Sequence, residues 1–182
     1  MNLKISLITC ITSDMYIGYN NNLIISLKPD MNYFKTLTTG HMVVMGKNTY
    51  LSLPDKKPLV NRINVIISTT MQKKPEGFYL FHNVEEFFKY CCDNNYDDEI
   101  FIIGGSKIYD TFMPFAEKIY LTYIHKNIKE IYHNNINDSL LTKFPASIYN
   151  YTWDVENFAP EQYCFDKNFG LISYNFITLL RK

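Results

Sequence analysis

The sequence predicts one α/β domain over residues 1–182: a mostly parallel central sheet of about eight strands, helices on both faces, and an antiparallel C-terminal hairpin. The chain has 182 residues, 47% of them hydrophobic and 20% charged, which suits a single globular domain with its own core. Short apolar runs alternate with segments of helical spacing as far as residue 124. Beyond that point strand-like segments follow one another with no helix between them.

The first half of the chain alternates strands with helices. Pro29 and Asp30 open a helix, and Lys47–Leu53 is long enough for one or two helical turns. The apolar runs typical of buried strands are Ile5–Ile11, Met42–Met45 and Ile63–Ile67. Strand, helix and strand in this order favour right-handed crossovers and therefore parallel strands.

The second half repeats the alternation and then changes. Val84–Cys92 and Ser106–Met113 are predicted helices, and Ile100–Ile103 and Lys118–Ile124 are predicted strands. The polar, Asn-rich stretch Lys126–Lys143 predicts a long surface loop. The closing antiparallel hairpin is assigned to Tyr151–Phe158 and Leu171–Leu180, with turns marked by Pro160 and Gly170.

Charge and composition exclude several classes of partner. Eighteen basic and eighteen acidic residues balance, so we expect no nucleic-acid or membrane partner. No apolar run approaches the about 20 residues that cross a bilayer, and Met1–Cys10 shows no export signal. The cysteines, Cys10, Cys91, Cys92 and Cys164, lack metal-site spacing. We therefore expect reduced thiols, no metal and a cytoplasmic location.

Two glycine turns are candidate phosphate sites. Gly46–Thr49 and Gly104–Lys107 each place glycine at a strand end and a helix N-terminus directly after it, where free N–H groups favour anions. Ser68–Thr69 ends the strand between them, so a dinucleotide could lie across these strand ends. For either turn alone, a glycine that only redirects the chain is the commoner explanation. Two such turns on one sheet favour the phosphate site.

Asp30 is a candidate acid for catalysis. It begins a helix whose next inward positions, Met31 and Phe34, are apolar. An isolated Asp at this place usually caps a helix in water, whereas an Asp that enters an apolar cleft has its pKa raised. The neighbouring sequence decides between the two.

That neighbouring sequence resembles the dihydrofolate reductase family over nearly the whole chain. The stretch Thr38–Tyr50, a strand running into a phosphate-binding turn, carries the most specific similarity. The other matching segments, in order, are Ile17–Leu23, Leu27–Phe34, Pro58–Val65, Ile102–Gly105, Tyr120–Thr122 and Tyr174–Phe176.

The resemblance implies reduction of 7,8-dihydrofolate to tetrahydrofolate, with hydride passing from nicotinamide C4 to pterin C6 and a proton added at N5. Asp30 would be the catalytic acid, holding N3 and the 2-amino group of the pterin, with Thr122 hydrogen-bonded behind it. Arg62 would pair with the α-carboxylate of the glutamate tail. The apolar substrate wall would comprise Ile8, Met31, Phe34, Leu53, Leu59 and Ile103, each of which is otherwise an ordinary core residue.

The implied cofactor is NADPH, held by three groups of residues. The group near the nicotinamide is Cys10, Ile17, Gly18 and Tyr109. The group for the pyrophosphate and riboses is Asn48, Thr49, Gly104, Gly105, Ser106 and Ile108. The group for the 2′-phosphate is Lys47, Ser68, Thr69 and Lys107. We further expect a monomer whose partners are small molecules.

The chain departs from the family in its active-site loop and in the predicted surface loop. Leu23-Ile24-Ile25 stands where the family has Leu-Pro-Trp, and Leu141–Pro145 lacks the family's carboxylate and follows an insertion. Two alternatives remain open: a reductase of the related riboflavin pathway, and a non-catalytic protein that binds folate or another partner. Retention of Asp30, Thr122 and Arg62 favours dihydrofolate reduction.

Overall fold

A nine-stranded sheet forms the centre of the computed structural model, which describes residues 3–133 and 136–182. The strands within these ranges are β1 Ile5–Thr12, β2 Tyr16–Tyr19, β3 Asn22–Leu23, β4 Met42–Gly46, β5 Ile63–Ile67, β6 Phe78–Phe81, β7 Ile100–Gly104, β8 Lys118–Ile124, β9 Leu141–Lys143, β10 Trp153–Phe158, β11 Gln162–Asp166 and β12 Gly170–Arg181. The order across the sheet is β10-β12-β8-β1-β7-β4-β5-β6, and β11 also pairs with β12. The strands from β8 to β6 run parallel, and β12 is antiparallel to β8, β10 and β11.

Helices cover both faces of this sheet. The described α-helices are α1 Lys28–Thr38, α2 Lys47–Ser52, α3 Val84–Asp93, α4 Ser106–Phe112 and α5 Ile128–Tyr132. Neighbouring strand residues point to opposite faces. Leu7 accordingly packs in a cluster with Phe87 of α3 and Phe112 of α4, whereas Ile8 packs in another with Phe34 of α1. The predicted parallel sheet with helices on both faces is confirmed.

A second, three-stranded sheet lies beside the first. Its order is β3-β2-β9, and the β2–β3 hairpin turns through Asn20 and Asn21, whose φ angles are 49° and 58°. A two-residue turn with both φ angles positive matches the twist of a hairpin, and asparagine tolerates that conformation. The sequence analysis missed this sheet because strands of two to four residues carry too little alternation to be recognised.

The prediction that Lys126–Lys143 is only a surface loop is wrong. Helix α5 begins after Asn127, which forms a reciprocal capping box with Glu130, and β9 ends the segment. Ile128 and Ile131 are 4% and 1% exposed, so α5 buries one face in a core cluster. Residues 134 and 135 of the predicted loop lie outside the described residues, as do the first two of the N-terminal segment.

The C-terminal hairpin contains one strand more than predicted. Long strand β12 pairs with β11 beyond the Gly170 turn, with Phe165 opposite Leu171, and then with β10, with Phe158 opposite Ile177. Strand β6, at the opposite edge of the sheet, was likewise not predicted.

Among the described residues, every helix is too short or too polar to span a bilayer.

Candidate active site

The two glycine turns lie side by side where neighbouring strands end. Met45 of β4 is the register partner of Gly104 of β7, so helices α2 and α4 start next to each other. A Cβ added at Gly46 would lie 2.9 Å from Cγ1 of Ile108, and one at Gly105 would lie 3.6 Å from Oγ1 of Thr49. Gly46 therefore leaves no room for a side chain beside Ile108 of α4, and the two turns lie together at the carboxyl edge of the parallel strands.

Gly104 requires glycine for two separate reasons. Its φ of 103° is a conformation that other residues rarely adopt, and an added Cβ would lie 2.9 Å from the ring of Tyr109. The Tyr109 hydroxyl donates to the Ile8 carbonyl at 2.8 Å, which ties α4 to β1. Burial raises the pKa of Tyr109, so this hydroxyl stays a neutral donor. The predicted cofactor residue Tyr109 thus also fixes the glycine turn.

Lys47, predicted to bind the 2′-phosphate, meets the loop that follows β5. Its Nζ donates to Thr70 Oγ1 at 3.4 Å, and Ser68 Oγ accepts from the Thr70 and Met71 backbone N–H groups at 3.3 Å each. His82 places Nδ1 3.2 Å from the Ser68 carbonyl oxygen. Thr69 is exposed and adjacent, and Lys107 is exposed on the first turn of α4.

Thr70 and His82 contact these predicted residues but were not themselves predicted. Thr70 directly follows the predicted Ser68–Thr69 pair, so the sequence could have indicated that it lies near the same site. His82 directly follows β6, and the parallel pairing of β5 with β6 brings it to Ser68. Because β6 was not predicted, nothing in the sequence placed His82 here.

Asp30 lies on the first turn of α1 and is 9% exposed. Thr122 of β8, itself 2% exposed, donates from Oγ1 to Asp30 Oδ1 at 2.6 Å. Burial raises the pKa of Asp30 above its ordinary value of 3.8, and the Thr122 hydrogen bond partly opposes that rise. The predicted pair is therefore a buried carboxyl with a strong affinity for a proton and for hydrogen-bond donors.

Cys10 borders the same pocket. It is the register partner of Thr122 across β1 and β8, and it is 8% exposed. Burial, and next the charge of Asp30, raise the pKa of the Cys10 thiol well above its ordinary value. The thiol is therefore neutral and acts as a small apolar wall.

Arg62 is anchored at the far end of α1. Its Nη1 donates to the Val60 carbonyl at 2.8 Å and its Nε to Thr38 Oγ1 at 3.2 Å, with Nη2 3.5 Å from the Lys35 carbonyl. Partial burial lowers the pKa of Arg62 from its ordinary value. Because a guanidinium carries five N–H donors, Arg62 keeps donors free for a carboxylate.

Most of the predicted apolar wall forms one cluster. Ile8 is buried in it, and partly buried side chains pack against it: Phe34, Leu53, Leu59 and Ile103. Met31 differs, because it lies outside that cluster and is 42% exposed. The structure therefore brings five of the six predicted wall residues together.

A cleft of about 350 Å³ opens between the β2–β3 hairpin and α2. It is lined by Asn20, Asn21, Asn22, Asn48, Leu51 and Ser52. Of these, only Asn48 was among the predicted site residues. Ile17 and Gly18, predicted near the nicotinamide, lie on β2 of the same hairpin. The described residues contain no cluster of His, Cys, Asp and Glu that could hold a metal ion.

Comparison with known proteins identifies the family of this chain. The family model for dihydrofolate reductase matches residues 4–153. The chain is 34% identical over 123 residues to dihydrofolate reductase from Staphylococcus haemolyticus, covering 68% of this chain and 71% of that protein. It is 31% identical over 121 residues to the Bacillus subtilis dihydrofolate reductase, covering 66% and 69%.

A solved structure shares the fold. Dihydrofolate reductase from Enterococcus faecalis, complexed with NADP(H) and RAB-propyl, superposes with a TM-score of 0.80 at 23% identity, covering 98% of this chain and 96% of that one. The family resemblance of the sequence is therefore confirmed over most of its length. The chain belongs to the dihydrofolate reductase family.

Proposed function

We propose that this protein reduces 7,8-dihydrofolate to 5,6,7,8-tetrahydrofolate with NADPH. Membership of the family supports this activity. One observation within the chain carries the proposal: the buried Asp30 carboxylate of α1 accepts a 2.6 Å hydrogen bond from Thr122 of β8, the strand next to β1, which holds Ile8 and Cys10. Burying a carboxylate raises the free energy of the folded protein unless the carboxylate accepts hydrogen bonds from a partner. A pterin ring, which offers paired N–H donors, suits it.

The residues at the two glycine turns fit NADPH. Gly46 and Gly104 let the strand ends pack closely against Ile108 and Tyr109 of α4, and the N–H groups at the starts of α2 and α4 suit a pyrophosphate. Lys47 lies at the Ser68–Thr70 loop, where a cation and hydroxyls suit a 2′-phosphate. When bound, NADPH supplies the hydride. The residues that we propose to hold it are Cys10, Ile17, Gly18, Lys47, Asn48, Thr49, Ser68, Thr69, Gly104, Gly105, Ser106, Lys107, Ile108 and Tyr109.

Asp30 is the proposed catalytic group. As a carboxylate it accepts hydrogen bonds from N3 and the 2-amino group of the pterin, and its charge favours a proton at N5. The Thr122 hydroxyl occupies one oxygen and so orients the carboxylate. Because burial raises the pKa of Asp30, the pair binds donors more strongly than an exposed Asp would.

The rest of the site positions the substrate. The cluster that contains Ile8, Phe34 and Leu59 excludes water from the ring, which hydride transfer requires. Arg62, held by its bonds to Val60 and Thr38, presents a fixed fork to the glutamate carboxylate. Substrate and cofactor bound in this way lose little further translational and rotational entropy on reaching the transition state.

A spectrophotometric assay tests the proposal. We expect the NADPH absorbance band to fall when dihydrofolate is added to protein and NADPH. A fall only with a substrate of riboflavin synthesis would favour the related reductase. Binding of dihydrofolate with no fall at any pH would favour a non-catalytic folate-binding protein, and either outcome would contradict the proposal.

A further inference from the structure

Helix α5 and strand β9 hold the loop that precedes Asp30. We use α5 segment for residues 126–133 and 136–143, and active-site loop for residues 12–27. The Asp14 carboxylate accepts from the Ile128 N–H at 3.2 Å through either oxygen, and Thr12 donates to Asp14 at 2.6 Å. At the other end, β9 pairs with β2, and the Asn20 N–H donates to the Leu140 carbonyl at 2.9 Å.

Between these ends, one side chain reaches the last part of the loop, close to α1. The Tyr132 hydroxyl donates to the Ile24 carbonyl at 2.9 Å, although the two residues are 108 positions apart. The Tyr132 ring packs against Tyr19 at 5.0 Å and Phe169 at 5.2 Å. Burial raises the pKa of Tyr132, so its hydroxyl remains protonated and able to donate.

The bonded carbonyl lies just before the helix that carries Asp30. Leu27 is the N-cap of α1 and, within the described chain, makes no side-chain capping bond. The start of α1 is therefore fixed by its surroundings rather than by its own cap. Ile24, Ile25 and Leu27 are each 2% exposed or less, and they pack in the cluster that contains Ile128 and Ile131 of the α5 segment.

We propose that Tyr132 is a positioning residue of this enzyme: its bond to the Ile24 carbonyl fixes residues 24–27 and, through them, the place of Asp30 in the pocket. The inference rests on the proposed function. It also gives the α5 segment a role, because the loop that it holds contributes Ile17 and Gly18 to the cofactor side and leads into Asp30 on the substrate side. Tyr132 itself touches neither ligand in this account.

The variant Tyr132→Phe tests the proposal, because it keeps the ring contacts and removes only the hydroxyl. We expect kcat/KM for dihydrofolate to fall about two- to tenfold, the range for losing one neutral hydrogen bond. The assay is run at a temperature where circular dichroism shows wild type and variant equally folded. Tyr149→Phe is the matched control, since Tyr149 is 74% exposed and lies outside the α5 segment.

Hydrogen–deuterium exchange supplies a readout that does not depend on turnover. In Tyr132→Phe we expect faster exchange at the amides of residues 24–27 and unchanged exchange in β4 and β7. Faster exchange together with unchanged kcat/KM would show a structural bond with no catalytic effect and would overturn the proposal. Unchanged exchange at residues 24–27 would also overturn it.

The two proposals fail in different ways. Wild type that does not oxidise NADPH with dihydrofolate contradicts the proposed function, and the exchange measurement still decides whether Tyr132 fixes the loop. Should Tyr132→Phe not fold, Asp14→Ala loosens the α5 segment from its other end, because it removes the acceptor of the Ile128 N–H. We expect that variant to lower kcat/KM and speed exchange at residues 24–27, and no change in either would overturn the inference.

Discussion

Replacing Thr122 by valine should weaken catalysis by removing one short hydrogen bond. Valine keeps nearly the shape of threonine and deletes the hydroxyl that donates to Asp30 at 2.6 Å. Both side chains are buried, at 2% and 9% exposure, so water does not readily replace the bond. A hydrogen bond to a charged group contributes about 1.5–3 kcal/mol. Since about 1.4 kcal/mol is tenfold in rate, we expect kcat/KM for dihydrofolate to fall about ten- to a hundredfold.

The same variant should also shift the pH dependence. The Thr122 hydroxyl lowers the pKa of Asp30, against the larger rise caused by burial. Its loss therefore raises that pKa further, and the acid limb of the kcat/KM profile moves to higher pH. Steady-state assays across pH measure both effects, with Thr36→Val, at an exposed position of α1, as the control. Unchanged kcat/KM and an unmoved profile in Thr122→Val would refute the assigned role of this bond.

Three further variants probe cofactor choice, substrate tail and stability. Lys47→Ala should lower the preference for NADPH over NADH about tenfold, because it removes the cation beside Thr70. An unchanged ratio of the kcat/KM values for NADPH and NADH would contradict the proposed 2′-phosphate pocket. Arg62→Leu should weaken dihydrofolate binding about tenfold or more while barely changing binding of a pterin without the glutamate tail; equal losses would make Arg62 structural. Burial raises the pKa of Asp30 in the folded state, so the wild type loses stability as this carboxyl ionises between about pH 4 and 7. Asp30→Asn cannot ionise, so its Tm should rise relative to that of the wild type over this pH range. A constant difference between the two Tm values would contradict the effect of burial on Asp30.

The strands of the sheet centre could be predicted because they are buried on both faces. Met42–Met45 and Ile100–Ile103 are continuous apolar runs ended by glycine, and they became β4 and β7 with one residue added to each. Strand β6 and helix α5 were not predicted because they are too short to carry a clear pattern. Each has four or five residues and gains its order from packing, as the 1% exposure of Ile131 shows.

The candidate site divides in the same way. The glycine turns were visible because two of them follow strands that were predicted to lie in one sheet, and the structure sets Gly46 and Gly104 on neighbouring strands. The Asp30–Thr122 pair joins residues 92 positions apart, so only the family resemblance could suggest it. Met31 shows the reverse: its spacing suggested an inward position, yet it is 42% exposed.

Buried Asp30 is the residue on which dihydrofolate reduction by this chain should depend most. The most direct test compares wild type with Asp30→Asn in NADPH oxidation on addition of dihydrofolate near neutral pH, with NADPH binding measured in both. We expect wild type to consume NADPH, and Asp30→Asn to bind NADPH normally yet lose most of the reduction, because an amide cannot act as the anion that polarises the pterin. Undiminished turnover by Asp30→Asn would contradict the account.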